Sequence, residues 1–341
     1  MPATTMLAAK KTGPAAASAV PAPVPGVGPS DVLVAVRACA VCASDLWGWN
    51  APIAGPGTPG EWDPDNLGIT GHEVAGDIVG VGSDVDPVRL GEAVWIDPIT
   101  GCGECEYCRA GRQTFCPRVS IVCQGFAEYV RSPARQCRPI PDGLDYERAS
   151  MIGDMVGTPT GAVKRAAVAE GESVAVWGLG PVGLGLVQAS LIAGASLVAG
   201  IDPVGARRAR AERFGAVALD PSDRAPERLL ELTAGRGPDV VLCSVSAEGA
   251  VRTAFETLRL EGRMVTVTGH PPAGGEVCKW VSGSWGCDER LWPEVLDQVS
   301  TGRFSLDGYV THTFPLSRIE EAFELRADDL ENSFKVVVTP D

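Results

Sequence analysis

SVAVWGLGPVGLG, residues 173–185, is the stretch from which the rest of the chain can be read. Its first five residues are an apolar run of strand length. Gly178, Gly180 and Gly183 then stand at the mouth of PVGLGLVQASLIAGA, which has helical spacing. A second strand, LVAGID, ends on Asp202, nineteen residues beyond Gly183. Three spaced glycines alone mark any tight turn. Strand, turn, helix, strand and terminal acid arriving in register are the context that a bound dinucleotide requires. Positions without side chains let the backbone approach a pyrophosphate, and a helix N-terminus offers free N–H groups and partial positive charge. Asp202 can accept the adenosine ribose hydroxyls and would repel a 2′-phosphate, so NAD is favoured over NADP. Arg207 and Arg208 stand near enough to keep the phosphorylated form in play. The candidate cofactor contacts are Gly178, Gly180, Pro181, Val182, Gly183, Asp202 and Arg207.

Downstream the alternation continues through GARRARAERFGA, PDVVLCSVS, GAVRTAFETLRLEG and GRMVTVTG. Such strand–helix alternation predicts a parallel sheet covered on both faces. Upstream, from about 30 to 150, the texture is different. VLVAVRA, EVAGDIVGVG, EAVWIDP and FAEYVRS are short β-branched runs divided by Gly and Pro, as in an all-β unit with many turns. The closing run SFKVVVTPD reads as a strand that returns to the first unit. At 341 residues, two domains are the natural expectation. Net charge of −14 repels phosphate backbones and anionic membranes, which argues against nucleic-acid and lipid partners. No apolar run is long enough to span a bilayer. Lys10 and Lys11 precede GPAAASAVPAPVPG, but its prolines break up a secretory core, and TMLAAKK reads more simply as a strand. Eleven cysteines, an odd number, do not form a secreted disulfide framework, and a cytoplasmic location is expected.

Four of those cysteines, Cys102, Cys105, Cys108 and Cys116, crowd into GCGECEYCRAGRQTFC. Disulfides, an iron–sulfur cluster and tetrahedral zinc compete for that spacing. If all four thiolates ligate one zinc, the site is closed and no substrate can enter it. Chemistry would then need an open site elsewhere, and histidine is scarce: His72, His270 and His312. His72 lies in GITGHEVAG beside Glu73, Cys42 precedes Ser44 and Asp45 in CAVCASDLW, and Asp154 lies in SMIGDMVGT. Taken singly, Cys42 reads as a small buried hydrophobe, His72 as a satisfied structural histidine and Asp154 as a helix N-cap.

The order of motifs resembles that of the zinc-containing medium-chain alcohol dehydrogenases over nearly the whole chain. The matching landmarks are VRACAVCASD, GHEVAGDIVGVGSDV, the four-cysteine lobe, GFAEYV, WGLGPVGLG and the terminal FKVVVTP. The resemblance implies an α/β chain. A GroES-like β-barrel catalytic domain (1–155 and 289–341, with a zinc lobe over 98–118) would be joined to a Rossmann doubly wound parallel-sheet NAD-binding domain (156–288). It implies two zinc ions per chain, one held by Cys42, His72 and Asp154, the other by Cys102, Cys105, Cys108 and Cys116. Many relatives have cysteine where Asp154 stands, so the metal here meets a harder ligand. Some pass the alcohol proton through a histidine where this chain has Trp47, which leaves Ser44, the nicotinamide ribose and water for proton exit. Asp45 would orient His72, and Glu73 would act as an alternative ligand during water exchange. The reaction implied is NAD-linked oxidation of an alcohol, with hydride passing to the nicotinamide.

Substrate clues are confined to the segment 50–68, where Trp62 stands among Glu61, Asp63 and Asp65. An aromatic face among carboxylates favours a polar or cationic ring, such as an aminocyclitol or amino sugar, and the family includes a 2-deoxy-scyllo-inosamine dehydrogenase branch. The alternatives are a simple aliphatic or aromatic alcohol, L-threonine, or a non-catalytic NAD-binding sensor. The other expected partner is a second copy of the chain, in a homodimer or homotetramer.

Overall fold

The computed structural model describes residues 4–50, 71–268 and 278–341. Trp62 and its acidic neighbours, and His270, lie outside the described residues. The chain divides into two compact units, Met1–Gly153 with Leu306–Asp341, and Asp154–Ser305. Trp292 sits buried in the second unit with its ring against Gly157.

The first unit opens on the hairpin β1 (Thr5–Gly13) and β2 (Ala16–Pro23), followed by β3 (Asp31–Ala40), α1 (Ala43–Asn50) and β4 (Glu73–Val81). Then come β5 (Ala93–Ile96), β6 (Ile99–Thr100), α2 (Glu106–Arg109), β7 (Ser120–Ile121), β8 (Tyr129–Pro133), β9 (Cys137–Pro139) and α3 (Tyr146–Ser150). The second unit holds α4 (Gly157–Ala166), β10 (Ser173–Trp177), α5 (Pro181–Ile192), β11 (Leu197–Ile201), α6 (Gly205–Arg213) and β12 (Val217–Leu219). It continues with α7 (Ala225–Leu232), β13 (Val240–Cys243), α8 (Glu248–Thr257), β14 (Arg263–Thr266), β15 (Trp280–Gly283) and α9 (Trp292–Ser300). The chain then returns through β16 (Val310–Pro315), α10 (Ile319–Asp328) and β17 (Lys335–Thr339).

In the first unit the sheet order is β16-β17-β3-β4-β5-β9, with β8 also on β3. The run FKVVV does return: β17 pairs antiparallel with β3, Val337 opposite Ala40. Alternation explains the core, because Val32, Val34 and Val36 of β3 share one buried face with Ile78 and Ile96. The C-terminal segment closes this core through Phe323 of α10, whose ring lies 5.0 Å from Trp49 and 5.4 Å, edge-on, from Phe126. Each such buried ring contributes about 1.5–3 kcal/mol against water.

In the second unit six strands run parallel in the order β12-β11-β10-β13-β14-β15. Numbered within the unit, that order is 3-2-1-4-5-6, the Rossmann arrangement, and a dinucleotide binds where the order reverses, beside the first strand. That strand, β10, is buried at all five residues, as expected of a central parallel strand covered on both faces. No helix among the described residues is long and apolar enough to cross a membrane.

Candidate metal centres and the dinucleotide turn

The four cysteines of the lobe converge. The Sγ atoms of Cys102, Cys105, Cys108 and Cys116 all lie within 4.8 Å of one another, and none is in a disulfide. Four thiolates about 2.3 Å from one zinc would stand about 3.8 Å apart, and Cys102 Sγ lies 3.9 Å from Cys108 Sγ. A polynuclear iron cluster, whose thiolates sit on different irons, would spread them farther.

Backbone amides already point at the sulfurs. Glu104 N and Cys105 N approach Cys102 Sγ at 3.4 Å, Cys102 N and Arg118 N approach Cys116 Sγ at 3.4 and 3.3 Å, and Cys108 N approaches Cys105 Sγ at 3.5 Å. The amides of Glu104 and Cys105 pull the Cys102 thiol down to about 6. Burial, with neighbouring thiols as partners, pushes Cys108 up to about 12. Arg112 braces the lobe by lying over Phe115 and Tyr107, at 4.7 and 5.7 Å from the ring centroids. Arg135 ties it to the sheet through Thr100 Oγ1 at 3.0 Å and the Gly101 carbonyl at 2.6 Å.

The quieter residues also meet. Cys42, His72, Glu73 and Asp154 each offer a ligating atom within 4.8 Å of the others. Cys42 immediately precedes α1, and Asp45, in the first turn of that helix, reaches back so that its Oδ2 accepts the Cys42 N–H at 2.9 Å. The same carboxylate accepts the Gly71 N–H at 3.2 Å and stands 3.6 Å from His72 Nδ1. At 3.6 Å the imidazole contact is longer than a hydrogen bond. Asp45, its side chain fully buried, also ties the Cys42 and Gly71 backbones together beside the imidazole. Gly71 makes the sharp entry to His72 possible: its φ is +58°, and a Cβ there would stand 2.7 Å from the Phe126 ring.

Glu73 differs from its neighbours, because its buried carboxylate is paired with Lys335 of β17, whose Nζ also donates to the Val41 carbonyl at 3.2 Å. Lys335 escaped the sequence reading, although a lysine inside the apolar run FKVVV was a signal. Cys39 and Cys123 stand close enough to feel Asp45, and burial pushes both thiols up. Asp154 does not cap a helix. It sits in a π-helical turn, Ile152–Val156, of the kind that recurs at functional sites. Its Oδ1 accepts a hydrogen bond from Thr158 Oγ1 at 2.7 Å. Ser44 is half-buried on α1, and Trp47 is exposed.

In the second unit the glycine turn follows β10. Gly178 has φ +87°, Gly180 stands at the N-cap of α5 with no side-chain cap, and Pro181 fills its first position. Val182 follows, half-buried, and Gly183 lies under the loop, its absent Cβ 1.8 Å from the Gly178 carbonyl oxygen. A Cβ on Gly180 would meet no described atom within 4 Å, so the turn is open on that side. Asp202, buried, accepts the Leu179 N–H at 2.7 Å and the Val204 N–H at 2.8 Å. Arg207 stands 3.6 Å from the Asp202 carboxylate, whereas Arg208 is committed to Asp220 at 2.8 Å and to the Asp202 carbonyl.

Comparison with known proteins shows the family. Residues 28–142 match the family described as the alcohol dehydrogenase GroES-like domain, and residues 181–301 match the zinc-binding dehydrogenase family. A probable zinc-binding alcohol dehydrogenase of Mycobacterium tuberculosis is 31% identical over 87% of this chain and 78% of its own. An L-threonine 3-dehydrogenase of Bacillus subtilis is 30% identical over 93% of both chains. A sorbitol dehydrogenase of the same organism is 28% identical over 93% of this chain and 92% of its own. Among solved structures, the alcohol dehydrogenase TADH from Thermus sp. ATN1 superposes with a TM-score of 0.86 at 27% identity, covering 98% of this chain and all of that one.

Proposed function

Because the chain belongs to the zinc-containing medium-chain alcohol dehydrogenase family, we propose that it oxidises a secondary alcohol on a polar polyol and reduces the matching ketone, with NAD as partner. The observation that carries the reading is the convergence of Cys42, His72 and Asp154 on one point. One thiolate, one carboxylate and one neutral imidazole neutralise a zinc dication and leave a coordination position for substrate or water. Bound at that point, zinc supplies a Lewis acid that acidifies a coordinated hydroxyl, and NAD at the glycine turn supplies the hydride acceptor. Ser44, two residues after Cys42, would relay the hydroxyl proton, its oxygen accepting that proton as its own passes to the nicotinamide ribose or to water, since Trp47 offers no basic nitrogen. Asp45 keeps the Cys42 and His72 segments in register. Glu73, held by Lys335, is the carboxylate beside the three ligands and the residue to exchange with water.

The cofactor preference rests on Asp202. Its carboxylate favours ribose hydroxyls over a 2′-phosphate, and Arg207 is the cation beside it that would receive such a phosphate. Asp202→Ser should lower the NAD-to-NADP ratio of kcat/KM about 10- to 100-fold, each tenfold step being ~1.4 kcal/mol. An unchanged ratio would place the discrimination elsewhere. The lobe holds a second, closed zinc site. Cys105→Ser should lower stability by about 2 kcal/mol or more, roughly 4–8 °C in melting temperature, before turnover suffers. A full loss of turnover at unchanged melting temperature would overturn its structural assignment.

The substrate class is supported by relatives named for sorbitol, L-galactonate and L-arabinitol, each a polyhydroxylated chain. The narrower reading, an aminocyclitol or amino sugar, rests on Trp62, Glu61, Asp63 and Asp65. Edge strand β15, with Trp280 71% exposed, supports a homodimer or homotetramer. The test is NADH formation across polyols, aminocyclitols, amino sugars, L-threonine and simple primary alcohols, with zinc counted per chain. Two zincs and turnover on secondary alcohols are expected. One zinc and no turnover would make the protein a sensor of the same fold.

A further inference from the structure

We infer that Thr158 is a positioning residue that aims the Asp154 carboxylate at the catalytic metal, an assignment that rests on the ligand set given above. A cysteine in that place would present one sulfur and need no aiming. A carboxylate presents two oxygens and rotates about its own bond, so a chain with Asp154 has an orientation to fix.

Thr158 Oγ1 donates to Asp154 Oδ1 at 2.7 Å from one helical turn ahead, and Thr158 is 5% exposed. Helical threonines commonly return their hydroxyl to the carbonyl four residues back. Here the residue four back is Asp154, and the hydroxyl goes to its side chain. That oxygen is thereby held against rotation about the carboxylate's own bond. Burial keeps water from competing for the donor, so the bond holds the carboxylate in place.

The turn bearing Asp154 is pinned on both sides. A Cβ on Gly153 would stand 2.7 Å from the Pro98 ring, and one on Gly157 would stand 2.6 Å from the Trp292 ring. Hydrogen-bond partners of metal ligands are typically worth 10- to 100-fold in metal affinity.

The experiment titrates purified enzyme with EDTA and counts zinc per chain, in the parent, Thr158→Val, Thr158→Ser and Asp154→Ala. The visible spectrum of the cobalt-substituted forms and circular dichroism are read alongside. Thr158→Val, which keeps the shape and loses the hydroxyl, should release one zinc at about 10- to 100-fold lower EDTA while the lobe keeps the other. Its cobalt spectrum should shift, and Thr158→Ser should behave as the parent. Parent-like chelator resistance in Thr158→Val overturns the inference. So does equal impairment in Thr158→Ser, which would mean that the side chain serves packing. If Asp154→Ala itself keeps both zincs, the ligand assignment fails and the inference fails with it. If Asp154→Ala sheds one and Thr158→Val sheds none, only the positioning role is lost.

Discussion

Asp154→Ala should leave one zinc ion per chain where the parent holds two, and should lower kcat/KM by about 10³-fold or more without unfolding the protein. The loss of turnover follows from what the third ligand does. Zinc held by Cys42 and His72 alone is held weakly and carries an uncompensated charge, and Lewis-acid assistance worth several kcal/mol goes with it. Each ~1.4 kcal/mol is tenfold in rate. Survival of the fold follows from where the stability lies. The β3–β4 register and the Trp49–Phe126–Phe323 cluster do not involve Asp154, and the lobe metal has its own four thiolates. The hydroxyl of Thr158 loses its acceptor, at about 1–3 kcal/mol. Zinc analysis, steady-state kinetics and circular dichroism on one preparation check all three statements. Asp154→Cys is the informative companion, because a thiolate restores the ligand and should restore the second zinc. Activity retained in Asp154→Ala would mean that another group completes the site.

How much of this was legible beforehand differs from element to element. The glycine turn was, because its motif is local: β10, the turn, α5, β11 and Asp202 follow one another in the chain, and each obeys its own pattern. The lobe was legible for the same reason, with four cysteines inside fifteen residues. The open site was not. Cys42, His72 and Asp154 lie far apart in sequence, and composition gives no reason to join them. Only the resemblance to a family did. What neither route supplied were the contacts that hold the ligands. Asp45 was expected to orient His72. The structure places its carboxylate 3.6 Å from His72 Nδ1 and adds bonds to the Cys42 and Gly71 amides, a backbone role that leaves no pattern in side-chain spacing. Lys335 reaches Glu73 from the far end of the chain, and such a pairing depends on β17 closing against β3. The π-turn under Asp154 was hidden because IGDMVG has the apolar spacing of an ordinary helix start.

Gly183→Ala should abolish measurable NAD binding while leaving both zincs in place, the complement of the Asp154 result. The added methyl would stand 1.8 Å from the Gly178 carbonyl oxygen and 2.7 Å from its carbon. These are backbone atoms, and they have little freedom to withdraw. Gly178 is held at φ +87°, its N–H donates to the Ile201 carbonyl at 2.8 Å, and its carbonyl accepts from Ser244 Oγ at 2.9 Å. The first turn of α5 must therefore lift away from the loop by more than 1 Å. Overpacking of this kind costs about 1–3 kcal/mol. A misplacement of about 1 Å can cost on the order of 100-fold in function. Gly180→Ala separates the two meanings of a glycine in this turn. Its φ of −62° suits alanine, and its methyl meets no described atom within 4 Å, so the protein should be as stable as the parent. The methyl would instead occupy the open side where the pyrophosphate must approach, and NAD affinity should fall at least about 10-fold. Calorimetric NAD titration with thermal melts on both variants decides the matter. A Gly180→Ala protein that binds NAD as the parent does would show that the cofactor does not lie against this turn.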